Sequence, residues 1–491
     1  MSQKPNFIII MPDQHRADIL ACAGKQVKAP NLDRLASEGV RFENTFTQSP
    51  LCVPARASFQ TGRYVHETYC NTNKTFIHEN CPQWIDATFL NILQKHGYYN
   101  VDIGKMHLVS HKNAYDATRR VGDQKAELVD HVKHYDSKLM ELGFDEVEVV
   151  CGKMESAKVG SIYTDTLKEH GLLKTYQEWL RKYPIVNAEP MPVPKEYYID
   201  YFVGDLAVNW LNNYIEDSEH DNPFCLFVGF PGPHDPFDCV EEYTKKYDPN
   251  AIEVKDEEIQ LPDRPCPPYS FVSKGVSRSR SVTKEFIQEC RAKYYGNVTM
   301  IDEKVGELIE ILENNDLLDN TWIIYTSDHG EQLGGHKLFM KFVFYRSSVQ
   351  VPLIIRPPKG MKEKIISEDV ELIDIPATIL DILNLELPSG HKGKSLLPLI
   401  SGENEGVQHK EICISQVFNY IMGVTENWKV VYDITNGKLL ELYNRNEDFY
   451  ENNNLKNTPK GKEVGSQLYE KYFKDIVEQS EFEKVDILSS L

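Results

Sequence analysis

The sequence lacks an apolar run approaching the ~20 residues that a transmembrane helix needs, so no membrane-spanning segment is expected. It is also poor in basic residues, with 54 lysines and arginines against 74 aspartates and glutamates and a formal net charge of −20. Nucleic-acid binding relies on clustered positive charge, and no basic stripe is present, so a nucleic-acid partner is excluded. An anionic substrate remains compatible, because a local cationic pocket can exist in an acidic protein.

Cysteine pairs and targeting segments are lacking as well. The ten cysteines are scattered without a Cys-x-x-Cys pair, which argues against a disulfide scaffold or a zinc knuckle. The first apolar stretch, residues 6–11, is too short for the hydrophobic region of a signal peptide and has no small-residue cleavage site. These features favour a cytoplasmic protein, with a signal removed ahead of this chain as the alternative.

The length of 491 residues allows one large α/β domain and a smaller one. Short β-rich apolar runs at 7–11, 223–230, 321–327 and 351–356 predict buried strands. Helical spacing of apolar residues predicts helices, the longest at 284–315. The composition turns polar near 401–406, which marks a domain boundary.

Beyond that boundary, strand-like runs occur at 411–414, 429–433 and 439–443. The last two are joined by Thr435-Asn436-Gly437, a turn typical of a hairpin. An amphipathic helix is predicted at about 462–478.

The most informative stretch is residues 51–63. It contains Cys52, Pro54 and Arg56 as a Cys-x-Pro-x-Arg run, continues as a predicted helix and ends in Thr-Gly-Arg. A helix N-terminus beside a guanidinium group is suited to binding an anion. The alternative is a buried cysteine beside a helix-starting proline, which is the common role of such a residue.

Polar residues follow three of the predicted strands. Asp13 and Gln14 follow the first, His234 lies between prolines after the second, and Asp328 and His329 follow the third. Ligands of open α/β sheets bind at the carboxyl ends of strands, and acids, amides and imidazoles there are candidate metal ligands. The alternative for Asp13 is an ordinary turn aspartate.

Two further candidates are Lys105 and His107. They follow the predicted strand at 101–104 and are two residues apart, so in an extended segment both side chains project from the same face. This spacing lets a cation and a proton carrier reach one anion. On its own the element is weak, since a solvated lysine is the default.

The Cys-x-Pro-x-Arg run and the Thr-Gly-Arg that follows resemble the signature of the type I sulfatases, the formylglycine-dependent members of the alkaline phosphatase superfamily. The Gly-Lys-x-His element at 104–107, the Pro-His-x-Pro-Phe element at 233–237 and the Ser-Asp-His-Gly element at 327–330 are similar to sulfatase elements and occur in the family's order. The resemblance implies an α/β fold with a large mixed central sheet flanked by helices, and a small C-terminal antiparallel-sheet subdomain with a helix. It places the catalytic domain at 1–400 and the α+β subdomain at 401–491.

The resemblance also implies roles for individual residues. Cys52 would be oxidised to formylglycine by a formylglycine-generating enzyme, and Arg56 would stabilise it. Lys105 and Lys341 would bind the sulfuryl group, His107 would contact the formylglycine, and His234 would face the leaving-group oxygen. The metal would be held by Asp13, Gln14, Cys52, Asp328 and His329. Two residues would line the substrate pocket: His336 and Asn73, the latter with a turn asparagine as its alternative role.

The expected cofactor is one divalent cation, with Ca²⁺ first. Many family members have aspartate where Gln14 stands, and those with calcium often have asparagine where His329 stands. These two departures make Mn²⁺ the runner-up, with Mg²⁺ as a further alternative.

The function implied is hydrolysis of a small-molecule or saccharide sulfate ester. Phosphonate monoester or phosphodiester hydrolysis on the same scaffold is the alternative, kept open by Gln14 and His329 and opposed by Lys105 and His107. A non-catalytic binding protein would be expected to lose Cys52 or a metal ligand, and none is missing. The sequence leaves open the natural substrate, the oligomeric state (a homo-oligomer included) and the roles of segments 110–200 and 239–285.

Overall fold

The computed structural model describes residues 4–109, 132–183, 186–217, 222–261, 282–403 and 408–479. The strands are β1 (Asn6–Ile10), β2 (Val40–Phe46), β3 (Tyr99–Gly104), β4 (Glu146–Val149), β5 (Phe224–Gly229), β6 (Thr321–Tyr325), β7 (Gln350–Arg356), β8 (Lys364–Glu371), β9 (Cys413–Val417), β10 (Tyr420–Val424), β11 (Trp428–Asp433) and β12 (Lys438–Asn444). The α-helices are α1 (Pro30–Ser37), α2 (Cys52–Thr61), α3 (Val65–Thr68), α4 (Ile77–Asn80), α5 (Phe89–Lys95), α6 (Val132–Glu141), α7 (Ile162–Glu169), α8 (Leu173–Lys182), α9 (Ile199–Glu216), α10 (Glu241–Thr244), α11 (Lys284–Asn314), α12 (Arg346–Val349), α13 (Asp374–Ile382), α14 (Leu397–Ser401), α15 (Pro459–Leu468) and α16 (Lys474–Gln479).

In the described part of the chain, the first eight strands form one sheet in the order β4-β3-β5-β1-β6-β7-β2-β8. Neighbouring strands are parallel except where β7 runs antiparallel to β6 and to β2. The predicted large mixed sheet is therefore confirmed. The carboxyl ends of β3, β5, β1 and β6 lie next to one another at one edge of this sheet, where α/β proteins bind their ligands.

Strand β1 shows why its sequence is a continuous apolar run. Ile8 and Ile10 belong to the core that includes residues of α1, α9 and α11. Phe7 and Ile9 belong to the core on the opposite face, with residues of α2, α5 and α13. Because helices cover both faces, no position of the strand is exposed to water, as is typical of parallel sheets in α/β proteins.

The second sheet is an antiparallel meander in the order β12-β11-β10-β9. The hairpin between β11 and β12 is confirmed, with Gly437 at φ +70° donating its N–H to the carbonyl of Asp433. Strand β10 was not predicted. The predicted terminal helix is found as α15 and α16, separated by a π-helical turn at Tyr469–Phe473.

The two sheets share a hydrophobic core that contains side chains of β2, α11, β9 and β12. The boundary at residue 401 stays a prediction. Segments 110–131 and 262–281, which belong to the regions of undetermined role, and residues 480–491 lie outside the described residues. No helix in the described ranges has both the length and the apolar character needed to cross a membrane.

Candidate active site

Cys52 is the first residue of helix α2, and all ten residues of this helix are buried. Leu51 precedes it in an extended conformation, and Gly62 ends it at φ +64°. A side chain at Gly62 would collide with the ring of His391, so both the backbone conformation and the available space require glycine there. The first turn of a helix carries unpaired N–H groups and partial positive charge, so Cys52 lies where negative charge is stabilised.

Four buried side chains meet at this helix end: Asp13, Cys52, Asp328 and His329. One donor atom from each lies within 4.8 Å of the others. Sγ of Cys52 is 3.1 Å from Nε2 of His329 and 3.8 Å from Oδ1 of Asp13. The imidazole nitrogen is in turn 3.8 Å from Oδ2 of Asp328. We call this group the Cys52 quartet; two carboxylates and an imidazole in this arrangement form a candidate site for a divalent cation.

Asp13 and His329 are in the protonation state that a cation requires, whereas the unmodified thiol of Cys52 is not. Burial opposes ionisation of Asp13, but the ammonium of Lys105 beside it holds the pKa of that carboxyl well below its usual range. Burial lowers the pKa of His329 to about 4, so its imidazole is neutral at pH 7. Burial and then the charge of Asp13 raise the pKa of the Cys52 thiol to about 12. The thiol is therefore not an activated nucleophile at neutral pH.

Arg56 and Lys105 supply positive charge behind the quartet. Nε of Arg56 donates to Oδ2 of Asp328 at 2.9 Å, and its Nη1 donates to the carbonyl of Lys105 at 2.7 Å. Lys105 forms an ion pair with Asp13. Arg56 lies one helical turn after Cys52, which is why the Cys-x-Pro-x-Arg spacing brings the guanidinium to the same end of the site.

Gln14 follows Asp13, and its side chain contacts residues outside the quartet. Its backbone N–H donates to Oδ1 of Asp328 at 3.0 Å. Its side-chain oxygen accepts a hydrogen bond from Lys341, and its side-chain nitrogen donates to Asp235 at 3.0 Å and to Glu331. The amide thus joins the lysine to two carboxylates; the predicted metal-ligand role of Gln14 stays a prediction.

His234 and Lys341 form a pair on this side of the site, with Nε2 of the histidine 2.5 Å from Nζ of the lysine. Burial, together with the charge of Lys341, lowers the pKa of His234. The two residues lie 107 positions apart in the sequence, and the strand ends after β5 and β6 bring them together.

Asn73 and His107 also lie at the site. Asn73 contacts the first turn of α2. His107 is buried at φ +56° and lines a small recess with Lys105 and Glu155. A positive φ in a residue with a side chain is uncommon and costs energy, and both His107 and Gln14 (φ +68°) have one beside the quartet.

The structure does not place His336 in this group. Its ring packs on Tyr345 with centroids 3.9 Å apart, and Nδ1 lies 3.1 Å from the carbonyl of Gln260. It lines a cavity of about 560 Å³ together with Arg16 and Glu258, and the lining of this cavity includes no residue of the quartet. His336 thus lines a cavity separate from the quartet, and its predicted role in substrate binding stays a prediction.

Asp235 and Glu331 were not singled out by the sequence. Asp235 directly follows His234, and Glu331 lies two residues after His329, so both belong to elements that the sequence analysis identified. Burial raises the pKa of Glu331 to about 7, and its Oε1 accepts the backbone N–H groups of Leu333 and Met340. The available signals were an acidic residue directly after His234 and a second acidic residue three positions after Asp328.

Comparison with known proteins places the chain in a family. The family model described as Sulfatase matches residues 5–385. A second model, described as N-sulphoglucosamine sulphohydrolase, C-terminal, matches residues 334–478. Together they cover both sheets.

Individual proteins agree with these matches. An arylsulfatase of Clostridium perfringens is 28% identical over 426 residues, which are 82% of this chain and 79% of that protein. A choline-sulfatase of Rhizobium meliloti is 28% identical over 469 residues, or 93% of this chain and 83% of that one. The solved phosphonate monoester hydrolase of Agrobacterium radiobacter has the same fold, with a TM-score of 0.75 at 21% identity over 97% of this chain and 96% of that chain. The chain belongs to the sulfatase family, the sulfuric ester hydrolases.

Proposed function

We propose that this protein hydrolyses a sulfate ester to an alcohol and inorganic sulfate, using a formylglycine formed from Cys52 and one divalent cation held beside it. The observation that carries the proposal is the buried Cys52 at a helix N-terminus, 3.1 Å from His329 and 3.8 Å from Asp13. Because its thiol pKa is raised to about 12, an unmodified Cys52 is a poor nucleophile at this position. A hydrated formylglycine supplies one hydroxyl to attack sulfur and a second whose deprotonation releases sulfate.

The cation would be held by Asp13, Asp328, His329 and the modified side chain at position 52. Gln14, predicted as a further ligand, would instead hold Lys341 through its side-chain oxygen. Two ionised carboxylates and a neutral imidazole fit such an ion. When bound, it lowers the pKa of a neighbouring hydroxyl and neutralises charge on a sulfate oxygen. Ca²⁺ is the first candidate, and Mn²⁺ and Mg²⁺ are the alternatives. The imidazole nitrogen departs from the all-oxygen ligand sets typical of Ca²⁺.

The chain's own residues complete the chemistry. Lys105 and Lys341 hold the negative charge of the sulfuryl oxygens throughout the transfer. The His234–Lys341 pair protonates the departing alcohol, since the two nitrogens meet close enough to Asp13 for both charges to lower the pKa of that carboxyl. His107 accepts the proton of the second hydroxyl. Arg56 keeps Asp328 ionised and in place through its 2.9 Å hydrogen bond.

The substrate is a small-molecule or saccharide sulfate ester. Relatives named arylsulfatase and choline-sulfatase match most of the chain, so the shared scaffold serves different alcohols. The proposal requires a formylglycine-generating enzyme as a maturation partner and takes the cytoplasm as the location.

Phosphonate monoester hydrolysis is the second candidate. It is favoured by Gln14 and His329, which depart from the calcium-type ligand pattern, and the fold alone does not distinguish the two reactions. The Lys105 and His107 pair favours sulfate.

The test compares kcat/KM for 4-nitrophenyl sulfate with that for a 4-nitrophenyl phosphonate monoester. The enzyme is co-expressed with a formylglycine-generating system, and the aldehyde is verified by mass spectrometry. Preference for sulfate, abolished in Cys52→Ala, is expected. Preference for the phosphonate, or an active Cys52→Ala variant, would overturn the proposal.

A further inference from the structure

A buried ionic cluster lies on the far side of the loop that presents His234. It consists of Lys153, Tyr198, Asp200, Asp238 and Asn297, and we call it the Lys153 cluster. We propose that this cluster positions the His234 loop and thereby sets how well the leaving alcohol is protonated. The inference rests on the proposed role of His234 and adds residues to it that do not touch the substrate.

Lys153 is the centre of the cluster, with a side chain only 1% exposed. Its Nζ is 2.8 Å from Oδ1 of Asp238 and 3.9 Å from Oδ2 of Asp200. It also donates to the hydroxyl oxygen of Tyr198 at 2.9 Å, and that hydroxyl donates to Asp238 at 2.8 Å. The lysine therefore has two acidic partners and a hydroxyl within an interior closed to water.

The cluster holds the loop on both sides of His234. Before it, Oδ1 of Asp200 accepts the backbone N–H of Gly232 at 2.5 Å. After it, Lys153 donates to the carbonyl of Pro236 at 3.4 Å and pairs with Asp238. The loop is thus tied two residues ahead of His234 and again two and four residues beyond it.

Two further contacts make the attachment rigid. Asn297 of α11 donates to Oδ2 of Asp200 at 3.0 Å, and its oxygen lies 3.4 Å from Nζ of Lys153. A Cβ at Gly232 would overlap Asn297 and Asp200, so only glycine allows the backbone to approach this closely. Helices α9 and α11 therefore serve as the fixed frame for the loop.

On its other side, the same loop contacts the active site. The backbone N–H of Asp13 donates to the carbonyl of Phe230 at 2.9 Å, and Asp13 forms a β-bridge with Pro233. His234 meets Lys341 at 2.5 Å. A shift of the loop would therefore move His234 relative to the metal ligand and the lysine together, and proton transfer is sensitive to such displacements.

Stability alone does not account for this cluster. Removing a lysine and two aspartates from water is costly, and apolar replacements of buried ion pairs are often neutral or stabilising. Placement of a catalytic group is a role that apolar side chains would not perform, because they cannot hold Gly232 and Pro236 by hydrogen bonds.

The experiment measures kcat/KM for a series of aryl sulfates whose phenols differ in acidity. kcat/KM reports the step in which the phenol departs. His234→Ala sets the benchmark, since a lost proton donor matters most for the least acidic phenol. The test variants are Lys153→Met and Tyr198→Phe. The matched control is Tyr98→Phe, which removes the hydroxyl of another buried tyrosine whose partner, the carbonyl of Pro5, belongs neither to the loop nor to the cluster.

We expect kcat/KM of both test variants to depend more steeply on the acidity of the phenol than kcat/KM of wild type does. His234→Ala should show the same change to a larger extent. In Lys153→Met, the decrease in kcat/KM should be at least about fivefold greater for the ester of the least acidic phenol than for that of 4-nitrophenol. This is smaller than the effect expected from removing a general acid altogether. Tyr98→Phe should leave the dependence of kcat/KM on phenol acidity unchanged. An equal loss for every phenol, or a steeper dependence in the control, would overturn the inference.

Two provisions keep the test decisive. If Lys153→Met does not fold, Tyr198→Phe and Asp200→Asn decide, because both keep most of the packing. If wild type carries formylglycine but hydrolyses the phosphonate monoester in preference to the sulfate, the proposed function fails. The positioning role is then measured on phosphonate monoesters of the same phenols, with the same variants and the same expected dependence.

Discussion

Oδ1 of Asn73 accepts a hydrogen bond from the backbone N–H of Val53 at 3.1 Å. Val53 is the second residue of helix α2, so its N–H has no partner within the helix. Leu51, which precedes the helix, provides no side-chain cap. An asparagine twenty positions later in the chain thus caps the helix that carries Cys52.

This contact predicts how variants of Asn73 differ. Asn73→Ala should lower the free energy of unfolding by about 1 kcal/mol, because a helix N–H loses its acceptor. Asn73→Asp keeps an acceptor and should recover most of that loss. Thermal unfolding with kcat/KM measured in parallel checks this; equal stability of the alanine variant and wild type would contradict the capping role.

A second prediction concerns Gln14. Its side chain contacts Lys341, Asp235 and Glu331, so Gln14→Leu should keep its metal content while losing activity. Gln14→Glu should be more harmful, since it sets a third carboxylate against two others. Adding Glu331→Gln to it should restore part of kcat/KM. Metal analysis is the decisive measurement, and loss of the metal from Gln14→Leu would show instead that Gln14 is a ligand.

Removing the metal should weaken the fold as well as activity. Asp13 and Asp328 are buried carboxylates whose pKa values are lowered, so a bound cation offsets their repulsion. A ligand at about 100 times its Kd stabilises by about 2.7 kcal/mol, so chelation should lower Tm measurably. Re-addition of Ca²⁺ and Mn²⁺ in separate samples identifies the ion. Asp328→Asn is the control, and its Tm should respond little to chelator.

The fourth prediction is an acid sensitivity at His391. Its Nδ1 accepts the N–H of Gly393 at 3.0 Å, which requires the neutral ring, and burial lowers its pKa to about 4. The folded pKa is below the ordinary value of 6.5, so this stabilisation is complete above about pH 6.5 and is lost as the pH falls toward 4. Its full size is about 3 kcal/mol.

Urea unfolding at pH 7.5 and pH 5 measures this loss. His391→Gln keeps a hydrogen-bond acceptor but does not titrate, so its stability should fall less between the two pH values. An identical fall in wild type and variant would assign the acid sensitivity to other groups.

The sequence predicted those parts of the fold in which the residue pattern of a single segment reflects how that segment is buried. Strand β1 is apolar at every position because helices cover both of its faces, and the polar residues after it mark the carboxyl edge of the sheet. Strand β10 was missed since its Tyr-Ile-Met-Gly-Val sequence is short and contains a glycine that weakens the strand pattern.

Other parts of the site depend on contacts between distant segments and could not be predicted from the local sequence. Gln14 contacts Asp235 and Glu331, which lie 221 and 317 positions away in the sequence, and no residue pattern near Gln14 predicts these contacts. His336 was assigned to the substrate pocket by resemblance alone; it lies at φ +50° in an irregular loop, with its ring packed on Tyr345. Side-chain direction follows a simple period only in helices and strands, so the sequence could not predict these neighbours.

The complete burial of helix α2 also limits when Cys52 can be modified. Cys52 lies 277 positions ahead of His329, so the nascent chain contains the cysteine long before Asp328 and His329 are synthesised. At ~5–20 residues per second, that interval is roughly 14–55 s of synthesis. An enzyme that oxidises Cys52 would have to act before helix α2 is buried, and this interval is the least time that synthesis leaves open to it.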